Sequence, residues 1–93
     1  MAPGRPERHS WDHYASTLGR NLQIARDRAG LSQEAVAYAS GLSRYTYQKL
    51  ERGIARPGAA ANPTLKTLIA ICQTLDVRPE DILPAEAPDL SAR

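Results

Sequence analysis

With 93 residues, 42% of them hydrophobic, the chain is long enough for one modest core and too short for a second, which leaves no room for an enzyme built from two lobes. Phe is absent and aromatics make up only 5%, so the core has to be assembled from Leu, Ile, Val and Ala, a composition that favours packed helices over a sheet. The net charge is only +2, but residues 43–56 carry Arg44, Lys49, Arg52 and Arg56 against Glu51, a balance of +3, while residues 76–93 carry five acids against two arginines, a balance of −3, and a chain polarised in this way offers one basic region to a partner.

The first nine residues, MAPGRPERH, mix Pro, Gly and charge and read as a flexible arm; residues 84–93 read likewise as a tail, and the folded unit is expected over residues 10–83. Ser10 is a good N-cap. Trp11, Ala15, Leu18, Leu22 and Ala25 recur at the spacing of one helix face, which predicts an amphipathic helix running to about Ala29 and stopped by Gly30. Ser32 caps a second, shorter helix with Glu34 in its first turn, where a carboxylate complements the helix dipole, and with Val36 and Ala37 facing inward before Gly41 stops it. Leu42 is expected to plug the core at the corner. Ser43 caps a third helix whose inward ridge is Tyr47 and Leu50, with the Tyr47 hydroxyl reaching the surface and Gly53 supplying a left-handed stop. Residues 54–63, IARPGAAANP, hold two prolines and no periodicity and read as a loop. A fourth helix over about residues 64–75 is expected to bury Leu65, Leu68, Cys72 and Leu75. Ile69 and Ile71 fall about 80° to either side of that stripe, so one edge of a broad apolar face is available to a second chain. Pro79 suits the first position of a last short helix ending near Leu83, and no strand is predicted.

Two short helices joined by a tight turn containing Gly41, inside a unit of five, form a helix-turn-helix pattern. Gly41 lets the chain reverse without a Cβ clash, so the third helix projects, and a projecting helix fits the major groove of B-DNA, where base edges display a readable pattern of donors, acceptors and methyl groups. Residues 18–83 carry further signals: Gln33 after the second cap, Ser43 and Arg44 opening the third helix, Glu51, Arg52 and Gly53 closing it, and LDVRPEDIL at the end. Through these the chain resembles the Cro/C1-type, or xenobiotic-response-element, family of bacterial and phage helix-turn-helix regulators related to the lambda and 434 repressors. The resemblance implies an all-α, compact five-helix, lambda-repressor-like DNA-binding domain. It implies a sequence-specific transcriptional regulator, with repression by occlusion as the simplest mechanism, and a homodimer that sets two recognition helices in successive major grooves about 34–36 Å apart on a partly palindromic double-stranded operator.

Carried over position by position, the resemblance implies base-edge contacts from Arg44, Tyr45 and Lys49. Arginine grips guanine O6 and N7 with two hydrogen bonds, worth about 1–3 kcal/mol of discrimination; for Tyr45 a thymine methyl or a phosphate is the expected partner. Backbone contacts are expected from Gln33, beside a helix N-terminus that attracts phosphate, from Ser43, Thr46 and Gln48 at the rim, and from Arg52 and Arg56, which position the protein without reading sequence. Glu51, an acid in a basic stretch, is expected by the same resemblance to pair with Arg26 of the first helix and lock the reading helix in place. The sequence departs from the family at two points. The 54–63 loop is a few residues longer, so its extra Gly-Ala-Ala-Ala either follows the DNA backbone further or bulges into solvent. Ser40 stands where Leu is common, which loosens the hold on the second helix.

Catalysis has no support in the sequence: there is no Gly-rich phosphate cradle, no nucleophile with its base, and no clustered acid–base pair of the kind a small hydrolase needs. No cofactor or metal is expected. His9 and His13, four apart, lack a third ligand, and Cys72, which can form no internal disulfide, is expected to be an inert core thiol in a reducing cytosol. Trp11 is expected as a lid over the core, and Arg5 and Arg8 as part of a disordered basic arm. Without a signal peptide or an apolar run of membrane-spanning length, a cytoplasmic protein is expected, and a core this small leaves little cavity for a small-molecule effector. The rival reading is a protein-binding adaptor or antitoxin-like module that holds its partner through the tails or the Ile69 edge, with DNA binding secondary.

Overall fold

Ser10, Ser32, Ser43 and Thr64 each take extended backbone angles, and each side-chain oxygen accepts the backbone N–H three residues on, which satisfies one of the orphan donors of a helix N-terminus. In the computed structural model, which describes residues 10–91, these caps start α1 (Trp11–Ala29), α2 (Gln33–Ala39), α3 (Arg44–Glu51) and α4 (Leu65–Leu75). A fifth helix, α5 (Pro79–Ile82), starts on Pro79, and the Asp81 carboxylate accepts the Arg78 backbone N–H at 3.0 Å. At the α2–α3 corner Gly41 takes φ 77°, and the Leu42 N–H returns to the Ala37 carbonyl at 2.8 Å, an ending open to a residue without Cβ strain. The arm at residues 1–9, with Arg5, Arg8 and His9, lies outside the described residues; residues 84–91 of the tail contain no helix or strand.

The core takes Ala15, Leu18 and Leu22 from α1, Val36 and Ala37 from α2, Tyr47 and Leu50 from α3, Leu68, Ile71, Cys72 and Leu75 from α4, and Ile82 from α5. Leu42 packs against it from the corner. Helix α3 rests on both α1 and α2, α4 backs α2, and α5 bridges α1 and α4, where Asn21 Nδ2 donates to the Ile82 carbonyl at 2.7 Å. Ser40 is not a loose end: its hydroxyl meets that of Thr74 at 3.1 Å, so α2 is tied to α4 by a hydrogen bond where a leucine would be tied by packing. Among the described residues no helix is long and apolar enough to cross a membrane.

Two further expectations are corrected. The buried stripe of α4 is centred between Ile71 and Cys72; Ile71 is fully buried, whereas Leu65, one turn before the stripe begins, overhangs the end of the core and is 73% exposed. Residues 54–63 are also not a plain loop. β1 (Ile54–Arg56) and β2 (Ala59–Ala60) form an antiparallel hairpin with Ile54 opposite Ala60 and Arg56 opposite Ala59, so the all-helical fold carries one small two-stranded addition. Pro57 followed by Gly58 at φ 81° is the residue order of a type II turn; the strands flanking it are too short to show an alternating pattern.

Candidate nucleic-acid interface

Burial of Tyr47 and Leu50 fixes the orientation of α3, leaving Arg44, Tyr45 and Thr46 exposed and Gln48 and Lys49 half-buried. What holds the helix there is partly a residue that is not on it. A Cβ added at Gly19 would lie 2.6 Å from the Leu50 carbonyl oxygen, 2.8 Å from the Glu51 carbonyl carbon, and closer still to the Glu51 carbonyl oxygen. Backbone therefore meets backbone where α1 crosses the C-terminal end of α3.

A polar network completes the seat. Arg26 Nε donates to Glu51 Oε2 at 2.6 Å and Nη2 to Oε1 at 3.2 Å, while Nη1 donates to the Leu31 carbonyl at 3.0 Å. Gln33 Nε2 donates to Glu51 Oε1 at 2.9 Å, and Gln48 Nε2 reaches Gln33 Oε1 at 3.4 Å. The Arg26 and Glu51 side chains are only 14% and 4% exposed; the carboxylate ties α1 and α2 to α3, and Arg26 extends the tie to the α1–α2 turn. Burial alone would raise the Glu51 pKa, but the hydrogen bonds from Arg26 and Gln33 and the Arg26 charge outweigh it and hold the carboxyl below its usual range. Arg26 is shifted up, chiefly by its hydrogen bond to Glu51 and against the effect of burial.

Tyr47 departs from expectation. Its hydroxyl does not reach the surface; it is buried without a hydrogen-bond partner among the described residues, because the close seating of α3 covers the whole ring. Burial, reinforced by Glu51, pushes the phenol far above its ordinary pKa.

The electrostatic consequence is on the outside. Glu51 is the only acid between residues 43 and 63, and it faces Arg26 rather than solvent. Arg44, Arg52 and Arg56 are exposed and make no side-chain hydrogen bond or ion pair to a described residue. Lys49 is placed differently: its Nζ donates to the Ala55 carbonyl at 2.9 Å and lies 4.6 Å from the centre of the Tyr45 ring, a cation–π distance that links the outer face of α3 to the hairpin. Ser43 and Thr46 are paired with each other at the cap, Ser43 Oγ donating to Thr46 Oγ1 at 2.9 Å while accepting the Thr46 N–H at 3.0 Å. The amide of Gln33, expected on a phosphate, is turned toward Glu51 and Gln48. Sequence reading missed Gly19, whose one signal was a glycine inside an apolar helical stripe, and the Ala55 carbonyl, which no side-chain pattern reveals. Among the described residues no group of three or more His, Cys, Asp or Glu could hold a metal ion.

The helix-turn-helix domain family matches residues 17–84. None of the curated proteins compared with the chain matches it. Among solved structures, the restriction-modification controller protein C.AhdI from Aeromonas hydrophila is 30% identical, with 74% of this chain and 96% of that one covered and a TM-score of 0.65. The restriction-modification controller protein C.Esp1396I is 29% identical over 70% of this chain and 77% of its own, with a TM-score of 0.59. The clp gene regulator ClgR from C. glutamicum is 25% identical over 74% and 82%, with a TM-score of 0.64.

Proposed function

Because the chain belongs to the Cro/C1-type helix-turn-helix family, we propose that it is a DNA-binding transcriptional regulator, without enzymatic activity, that reads the major groove of double-stranded DNA with α3. The observation that carries this reading is the outer face of α3: exposed cations around Tyr45, with Glu51, the one acid of residues 43–63, paired from behind by Arg26. Arg44 reads a guanine edge through two hydrogen bonds, and Tyr45 with Lys49 lies along the neighbouring bases. Gln33, Ser43, Thr46, Gln48 and Arg52 meet the sugar-phosphate backbone, Gln33 with the amide hydrogen that Glu51 leaves free and with the N-terminus of α2 behind it. Regulation is repression by occlusion of a promoter in the cytoplasm.

The working form is a homodimer on a partly palindromic operator. Support for a second copy comes from α4, whose outer face presents Leu65 at 73% exposure beside Ile69 and Ala70, an apolar strip with Lys66 as its only charge. Selection of bound duplexes from a random-sequence pool at about 0.1 M salt tests the reading. It predicts enrichment of two related half-sites about 10 base pairs apart, or a multiple of that, centre to centre. A pool that emerges unenriched would reject it.

A further inference from the structure

We infer that the β1–β2 hairpin is a second DNA-reading element, with the Arg56 guanidinium entering the minor groove next to the major groove that α3 occupies; this rests on the reading of α3 above. The hairpin is built onto α3 as one rigid piece. Gly53 is buried where the strand leaves the helix, and a Cβ there would lie 2.8 Å from Ser16 Cα. The Ala61 N–H closes the base on the Gly53 carbonyl at 2.9 Å, and Trp11 Nε1 donates to the Ala61 carbonyl at 2.8 Å. Lys49 Nζ holds the Ala55 carbonyl from the reading helix itself. Little ordering remains to be done on contact with a ligand, which favours binding.

Beyond those anchors the chain is slim and cationic. Ala55, Arg56, Pro57 and Gly58 are all exposed, and Arg56 is the only long side chain among them, without a partner in the described residues. From Gly53 to Pro57 the strand can reach about 13 Å at about 3.3 Å per residue. A major groove is about 12 Å wide, so a hairpin of that reach is long enough to pass the phosphates bounding the groove that α3 occupies. The minor groove beyond is about 6 Å wide, too narrow for a helix but wide enough for one guanidinium between small residues. Its negative potential draws arginine most strongly where A·T runs narrow it.

The test uses the full chain and its Arg56→Ala variant, with duplexes selected from a random pool. Wild type should enrich an A·T-rich block flanking the sequence read by α3; the variant should keep that sequence, lose the block, and bind the wild-type duplex about fivefold or more weakly. Replacing the block by inosine·cytosine pairs, which keep the minor-groove face of A·T and take the major-groove face of G·C, should leave affinity nearly unchanged, whereas G·C pairs should weaken it about fivefold. Inosine·cytosine binding as weak as G·C would overturn the inference, and so would a variant that weakens every duplex alike with flank preference intact, the mark of a phosphate contact only. A consensus without any flanking block refutes the hairpin alone; failure of wild type to enrich any duplex refutes the α3 reading and the hairpin with it.

Discussion

Gly19→Ala adds one methyl at the point where α1 crosses α3. In an exposed helix interior that change stabilises by about 1 kcal/mol through helix propensity. Here the methyl meets the Leu50 carbonyl oxygen at 2.6 Å and the Glu51 carbonyl carbon at 2.8 Å, where ordinary contact begins at 3.4 Å. These are backbone atoms and cannot rotate aside, so α3 has to move away from α1 by about 0.5–1 Å, an overpacking cost of about 1–3 kcal/mol. The same movement stretches the Arg26–Glu51 pair, whose shorter bond is 2.6 Å. Offsetting the propensity gain against both terms leaves a net loss of about 1–2 kcal/mol, or roughly 1 M in the urea midpoint for an m of about 1–2 kcal/mol/M. Equilibrium urea unfolding followed by circular dichroism measures it, with Arg20→Ala, an exposed neighbour on the same helix, expected to stay within about 0.5 kcal/mol of wild type. A Gly19→Ala protein as stable as wild type, or more so, would refute the backbone contact and with it the placement of α3.

Arg26→Ala leaves a carboxylate with 4% exposure unpaired and should cost about 3–5 kcal/mol in the same unfolding experiment. The pH dependence follows from the lowered Glu51 pKa: the unfolded carboxyl takes up its proton first, so the pair's contribution is complete above the unfolded value of about 4.3 and is lost as pH falls through the lower folded value. Thermal melts from pH 7 downward should therefore show an acid limb that is shallower in Glu51→Gln; an identical limb would show that another carboxylate sets it. Cys72 is 2% exposed and its pKa is raised by burial, with a smaller effect from Asp81, so a thiol reagent at mildly alkaline pH should label the native protein slowly and the urea-unfolded chain at once. Equal labelling rates would show that α4 is not packed as described.

Four of the five helices were legible because each begins on a residue whose local chemistry is self-contained: Ser10, Ser32, Ser43 and Thr64 cap by reaching only three residues ahead. The hairpin was not, since Ala59 and Ala60 carry no strand signature and the pairing is fixed from outside, by Trp11 from a residue fifty positions away. Leu65 misled because periodicity gives the side of a helix and not where the neighbouring core ends. For the outer face of α3, the sequence pattern located Arg44 and Tyr45 on the exposed side, but it set Lys49 there as well, which is half-buried on the Ala55 carbonyl, and it could not turn Gln33 toward Glu51; both depend on where α1 and the hairpin come to rest. Gly19 stood in plain view, and its meaning appears only once α3 is laid across it.

Titration of Arg44→Ala and Arg52→Ala against the selected duplex and its single-base variants, over a range of salt, asks whether the exposed end of α3 distinguishes bases. Arg44→Ala should lose about 1–3 kcal/mol on the preferred duplex and bind all four bases alike at one position, while Arg52→Ala should weaken every duplex equally and lower the salt slope by about 1. Equal losses on every duplex for both variants, with no position relaxed, would mean that α3 touches DNA without reading it.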